Sequence, residues 1–166
     1  AQARADGLRF TLCVTDSVFS MDGDLAPLPA LSAACADHGA ALMVDDAHGF
    51  GVMGRDGRGA LEWLPTPPDV YAATLGKSLG CAGAFIAGSE TLIEYLIQRA
   101  RTWVFSTAPP PAISAAARQA LRIVREEPQR RAALHERIRR FRAGASEAEL
   151  LAFVAGPMAP IPPLQH

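Results

Sequence analysis

Lys77 is the only lysine in a 166-residue chain whose lysines and arginines together number sixteen. Cationic positions elsewhere are written as arginine, so one position keeps an amine. Guanidinium stays protonated in proteins, whereas a lysine amine can lose its proton and attack a carbonyl carbon. Chance survival of one lysine is the plain alternative, and its neighbours decide between the two. Asp45, Asp46 and His48 close a short apolar run, Thr74 stands three residues before Lys77, and Ser20 lies in an earlier polar stretch. Carboxylate, imidazole, hydroxyl and amine together suit proton transfer around a covalently held carbonyl compound.

Two other chemistries fail on spacing. Gly76-Lys77-Ser78 invites a phosphate-binding P-loop, but that loop needs a glycine where this chain has Tyr71. A zinc site at Asp45, Asp46 and His48 lacks a second nearby histidine. No metal is expected.

The elements that must position these residues can be read from the apolar pattern. Leu8 to Val14 reads as a buried strand, and residues 15–28 as a loop with Asp22-Gly23-Asp24 as its turn. A helix is expected from Pro29 to Gly39, then a strand from Ala40 to Val44 delivering Asp45. Five glycines between Gly49 and Gly59 require loop. Further strands are expected at Val70–Leu75 and Gly83–Ala87, with the turn of Gly76-Lys77 between them. Helical spacing follows after Ser89 (Ile93, Leu96, Ile97, Ala100), after the prolines 109–111 (Ile113, Ala117, Ala120, Val124) and after Pro128 (Leu134, Ile138, Phe141). Apolar strands alternating with helices indicate an α/β protein with a largely parallel sheet.

Ligands of such sheets gather at the carboxyl ends of the strands, which is where Asp45 and Lys77 fall. A carboxylate at a buried strand end is costly unless a cation meets it. A protonated pyridine nitrogen is such a cation, and its ring is an electron sink. His48 and Ser20 can then bond a phenolic oxygen of that ring, and Thr74 a phosphate. Each assignment has a structural alternative: Asp45 or Asp46 capping a turn, His48 as a loop histidine, Ser20 and Thr74 holding backbone amides.

Bulk properties narrow the class. Net charge is -1, and no apolar run reaches the roughly 18 residues of a membrane span. Neither a membrane nor a nucleic-acid partner is expected, and no signal peptide is visible. Nine arginines against three glutamates between Arg118 and Arg142 alternate with an apolar stripe and read as a solvated face. Cys13, Cys35 and Cys81 read as free thiols, which suits a reducing cytoplasm.

Four ordered motifs carry a family resemblance. Phe19-Ser20-Met21-Asp22-Gly23-Asp24, Val44-Asp45-Asp46-Ala47-His48-Gly49, Gly54-Arg55-Asp56-Gly57-Arg58-Gly59 and Thr74-Leu75-Gly76-Lys77 resemble the α-oxoamine synthases. Together with Phe105-Ser106-Thr107 they look most like the branch that makes 8-amino-7-oxononanoate. Glycine C-acetyltransferases and 5-aminolevulinate synthases are near relatives. The resemblance implies the aspartate-aminotransferase fold (type I) and pyridoxal 5'-phosphate (PLP) as cofactor. Lys77 would carry PLP, Asp45 face its ring nitrogen, His48 and Ser20 its phenolic oxygen, and Thr74 its phosphate. Thr107 would reach the phosphate of a neighbouring subunit, because such enzymes are homodimers with shared sites. The implied reaction condenses L-alanine with pimeloyl-CoA or pimeloyl-carrier protein, releasing carbon dioxide, in biotin synthesis.

Family members are more than twice this length. Residues 1–108 are therefore expected to form the rear of the cofactor-binding large domain. Residues 109–142 would link it to a small domain, with a truncated or divergent tail at 143–166. On that reading the isolated chain is a fragment without useful turnover, or a non-catalytic remnant.

Overall fold

The computed structural model describes residues 10–144. Its centre is a four-stranded sheet in the order β1 (Leu12–Asp16), β2 (Ala41–Asp45), β3 (Val70–Thr74), β4 (Ala84–Gly88). The first three strands are parallel, and β4 returns antiparallel to β3 with Tyr71 opposite Ala87 and Thr74 opposite Ala84. The expected α/β architecture is present with one reversed strand. That reversal follows from the short β3–β4 connection, which is too brief for the crossover that parallel neighbours require.

β1 begins at Leu12 and ends at Asp16, two residues beyond the expected Val14. Residues 8 and 9 lie outside the described range. Polar Thr15 and Asp16 read as loop in isolation, yet the ladder carries them opposite Val44 and Asp45. Between β1 and β2 runs α1 (Leu28–His38), with proline in its first turn and left-handed Gly39 at its end. The crossover from β2 to β3 uses no α-helix. It is a run of turns containing one 3-10 segment, Gly59–Glu62.

Alternation along the strands sorts residues onto two faces. Leu42, Val44, Tyr71 and Ala73 are buried on one face, where Leu28 and Cys35 of α1, Ala26 and Ala60 complete a core. The other face is open: Val14 is 60% and Ile86 48% exposed. Cys13, Cys35 and Cys81 are all free.

Ser89 starts α2 (Glu90–Arg99), its hydroxyl accepting the Leu92 N–H at 3.3 Å. A short α3 (Arg101–Val104) follows, then α4 (Pro111–Glu126) and α5 (Gln129–Gly144). The expected stripes have the right period but are only partly covered, since Ala117 is buried while Leu121, Leu134 and Phe141 remain exposed. Arginines of this pair meet acids at the surface, as in Arg140–Glu136 and Arg130–Glu127. Arg131 is the exception. It is buried, with Nη1 bonded to Val124 O and Nη2 to Arg55 O at 3.1 Å, and so fastens α5 to the glycine-rich turn. None of the described helices is long and apolar enough to cross a membrane.

Candidate active site

The carboxyl ends of the three parallel strands bring Asp16, Asp45 and Thr74 to one rim. Asp16 and Asp45 are register partners. Alternation directs both toward the open face of the sheet, away from Leu42 and Val44. One oxygen of Asp45 accepts the Ala47 N–H at 2.9 Å, and nothing among the described residues bonds the other. Asp45 thus does cap the following turn, as its structural alternative required, while half of its carboxylate stays available.

That turn continues with Gly49 N and Phe50 N donating to Asp46 O at 3.2 and 3.0 Å. It carries His48, half-buried, with Nε2 2.8 Å from Lys77 Nζ. Burial first, and then the lysine charge, hold the imidazole below its ordinary value of 6.5, while Asp16 and Asp45 pull it upward. An ammonium has only hydrogens to offer, so the ring nitrogen facing it must be the acceptor, and the neutral ring carries its proton on Nδ1.

Lys77 sits in the loop that joins β3 to β4. Leu75 N bonds Gly83 O at 2.9 Å and Cys81 N bonds Leu75 O at 2.8 Å, which closes the loop beneath the lysine. Ser78 Oγ donates to Phe50 O at 2.6 Å and ties this loop to the His48 turn. Thr74 is occupied within the same loop: its hydroxyl donates to Gly83 O and accepts the Gly76 N–H, both at 3.1 Å.

Lys77, His48 and Asp45 are therefore gathered, with Thr74 at the adjoining strand end. Ser20 lies in the exposed turn after β1, closed by Gly23 N to Phe19 O at 2.8 Å. Thr107 lies in the exposed segment between α3 and α4. No hydrogen bond joins either to the other candidates among the described residues.

Sequence reasoning missed Asp16 and the network of Asp46. Asp46 is fully buried, and its carboxylate accepts from Ser17 Oγ, from Tyr71 OH at 2.6 Å and from Ala60 N at 2.8 Å. Burial raises its carboxyl above the usual range although these bonds oppose the shift. The Tyr71 hydroxyl is likewise pushed upward, by burial and by Asp46, and stays a donor. The available signal was the period of two: Leu42, Val44 and Asp46 share a face, and Asp45 does not.

Comparison with known proteins adds an independent line. Residues 1–162 match the family described as aminotransferase class I and II. A protein of Methylococcus capsulatus named 8-amino-7-oxononanoate synthase is 57% identical over 97% of this chain and 42% of its own length. One of the same name from Halorhodospira halophila is 52% identical over 94% of this chain and 40% of its own. This chain thus spans less than half the length of these curated relatives. Among solved structures, serine palmitoyltransferase from S. paucimobilis with bound PLP–myriocin superposes at a TM-score of 0.72. It is 32% identical and covers 76% of this chain and 33% of that one. An 8-amino-7-oxononanoate synthase from Francisella tularensis gives 0.67 at 33% identity, over 81% of this chain and 40% of that one.

Proposed function

Because this chain belongs to the aminotransferase class I and II family, we propose that its Lys77 site holds PLP and serves the decarboxylative condensation of L-alanine with a pimeloyl thioester. The product is then 8-amino-7-oxononanoate, the compound after which the relatives at 52% and 57% identity are named. The observation that carries the reading is the 2.8 Å approach of Lys77 Nζ to His48 Nε2 at the strand end that also presents Asp45.

The residues fit the group. A carboxylate with one free oxygen suits a cationic ring nitrogen, and an amine beside a neutral imidazole suits an aldehyde flanked by a phenolic oxygen. When bound, PLP supplies the electron sink for the alanine carbon that loses first a proton and later a carboxyl group. Asp45 keeps the proton on the ring nitrogen, and Asp16 adds a second negative charge beside it. Lys77 would hold the cofactor through its Nζ, and the same amine would move the α-proton of alanine. His48 and Ser20 bond the phenolic oxygen. Thr74 would donate to the phosphate, and Thr107 would serve the phosphate held by a partner subunit of a homodimer. On the same reading residues 1–108 belong to the cofactor-binding domain and 109–142 lead toward a small domain, in a cytoplasmic enzyme; the tail expected at 143–166 lies, from residue 145, outside the described residues.

The test is direct. The chain is mixed with PLP, a visible absorption band is sought, and borohydride reduction followed by peptide mass analysis locates the attachment. Modification at Lys77, absent from Lys77→Ala, is expected. Folded protein that captures no PLP would overturn the cofactor assignment.

A further inference from the structure

We infer that Asp46 is a positioning residue, whose buried carboxylate fixes the turn that sets His48 against Lys77. The inference rests on the reading of Asp45, His48 and Lys77 as the cofactor site. Asp46 is fully shielded from solvent, and its three donors come from three separate segments: Ser17 after β1, Tyr71 in β3 and Ala60 in the 3-10 segment. Its main chain is fixed as well. Asp46 N donates to Ala72 O at 2.8 Å, prolonging the β2–β3 ladder, while Asp46 O accepts from Gly49 N and Phe50 N and closes the His48 turn.

The second loop depends on the same turn. Phe50 packs edge-on against Phe85 and Tyr71, with ring centroids 5.4 and 6.5 Å away, and its carbonyl receives Ser78 Oγ from the lysine loop. One buried side chain therefore sets the origin of both loops whose tips meet at His48 and Lys77. Core filling alone does not account for it, because a carboxylate here is desolvated and an apolar or amide group of similar size would cost less to bury.

The prediction can be separated from simple destabilisation by its sign. The groups acting on the His48 ring are Lys77, Asp16 and Asp45, and Asp46 is not among them. Deleting a carboxylate that acted on His48 through its charge would lower the imidazole pKa. Loosening the turn would instead return the ring to water and away from Lys77, and raise it.

The experiment is an NMR titration of the His48 ring in the full chain without PLP, assigned by comparison with His48→Asn. Wild type is expected to titrate below 6.5, and Asp46→Asn closer to 6.5. Tyr71→Phe keeps the Asp46 charge and removes one of its donors, so a smaller rise is expected. It decides the matter if Asp46→Asn does not fold. An unchanged or lowered midpoint in either folded variant overturns the inference. PLP capture is scored separately, so its failure strikes the cofactor assignment and leaves the His48 titration interpretable.

Discussion

Asp45 and Asp46 are neighbours in the chain and face opposite sides of one sheet. Asp45 stands opposite Asp16 on the open face, and Asp46 is enclosed with Ser17 and Tyr71 on the core face. One strand end thus presents a carboxylate to the open face and another to the core, and on the proposed reading only the first meets the cofactor. The two should answer differently to substitution and to pH.

For Asp46 the sign follows from linkage. Its folded pKa is raised above 3.8, so its contribution to stability is fully present below 3.8 and is lost as pH rises through the folded pKa. The stability advantage of wild type over Asp46→Asn should therefore shrink as pH rises across that window. Urea unfolding at a series of pH values measures it, and an advantage that grows with pH would contradict the assignment.

For His48 the charge of Lys77 is the second cause of its lowered pKa, after burial. Lys77→Met should move the imidazole midpoint upward, since burial is then opposed by Asp16 and Asp45 alone. NMR titration reads this directly. A fall on removing the lysine would show that the two side chains do not meet.

A glycine pair isolates how tightly Asp46 is enclosed. Gly59 and Gly80 have φ of 62° and 63°, so alanine pays similar backbone strain at both, about 1–2 kcal/mol. A methyl group at Gly59 collides with the Asp46 carboxylate, whereas nothing lies within 4 Å at Gly80. Gly59→Ala should be the more destabilising by roughly 1–3 kcal/mol in chemical denaturation. Equal losses would mean that the carboxylate moves aside freely.

Arginines that look alike in sequence should also separate. Arg131→Ala removes a buried side chain bonded to Val124 O and Arg55 O, and should cost about 1–3 kcal/mol. Arg140→Ala breaks an ion pair whose arginine is 79% exposed, and unfolding curves should barely move. Similar effects at the two sites would indicate that α5 is not fastened through Arg131.

Much of this was legible in the sequence. Apolar runs placed β2, β3 and β4 to within about a residue, because each is short and bounded by turn residues, too brief for a helix. Pro29 and Gly39 bracketed α1, and the lone lysine and the Asp45–His48 spacing singled out side chains that the structure gathers at one rim. What escaped was fixed by pairing partners distant in sequence. Asp16 looks like the start of a loop until Asp45 is laid beside it, and Tyr71 looks like a strand aromatic until its hydroxyl meets Asp46. The antiparallel turn of β4 was likewise open, since alternation records which face a residue occupies and not the direction of the strand.

That reversal has a mechanical consequence. The span carrying Lys77 leaves β3 and returns on the strand beside it, with Leu75, Cys81 and Gly83 bonded across its base. Its two footings are adjacent and rigid, like those of an arch. A shift of α2 reaches the amine by way of β4, whereas α5 reaches it from the other side, through Arg131 on Arg55 O and then the Phe50–Ser78 bond, so the arch is braced against the outer helices along two separate paths.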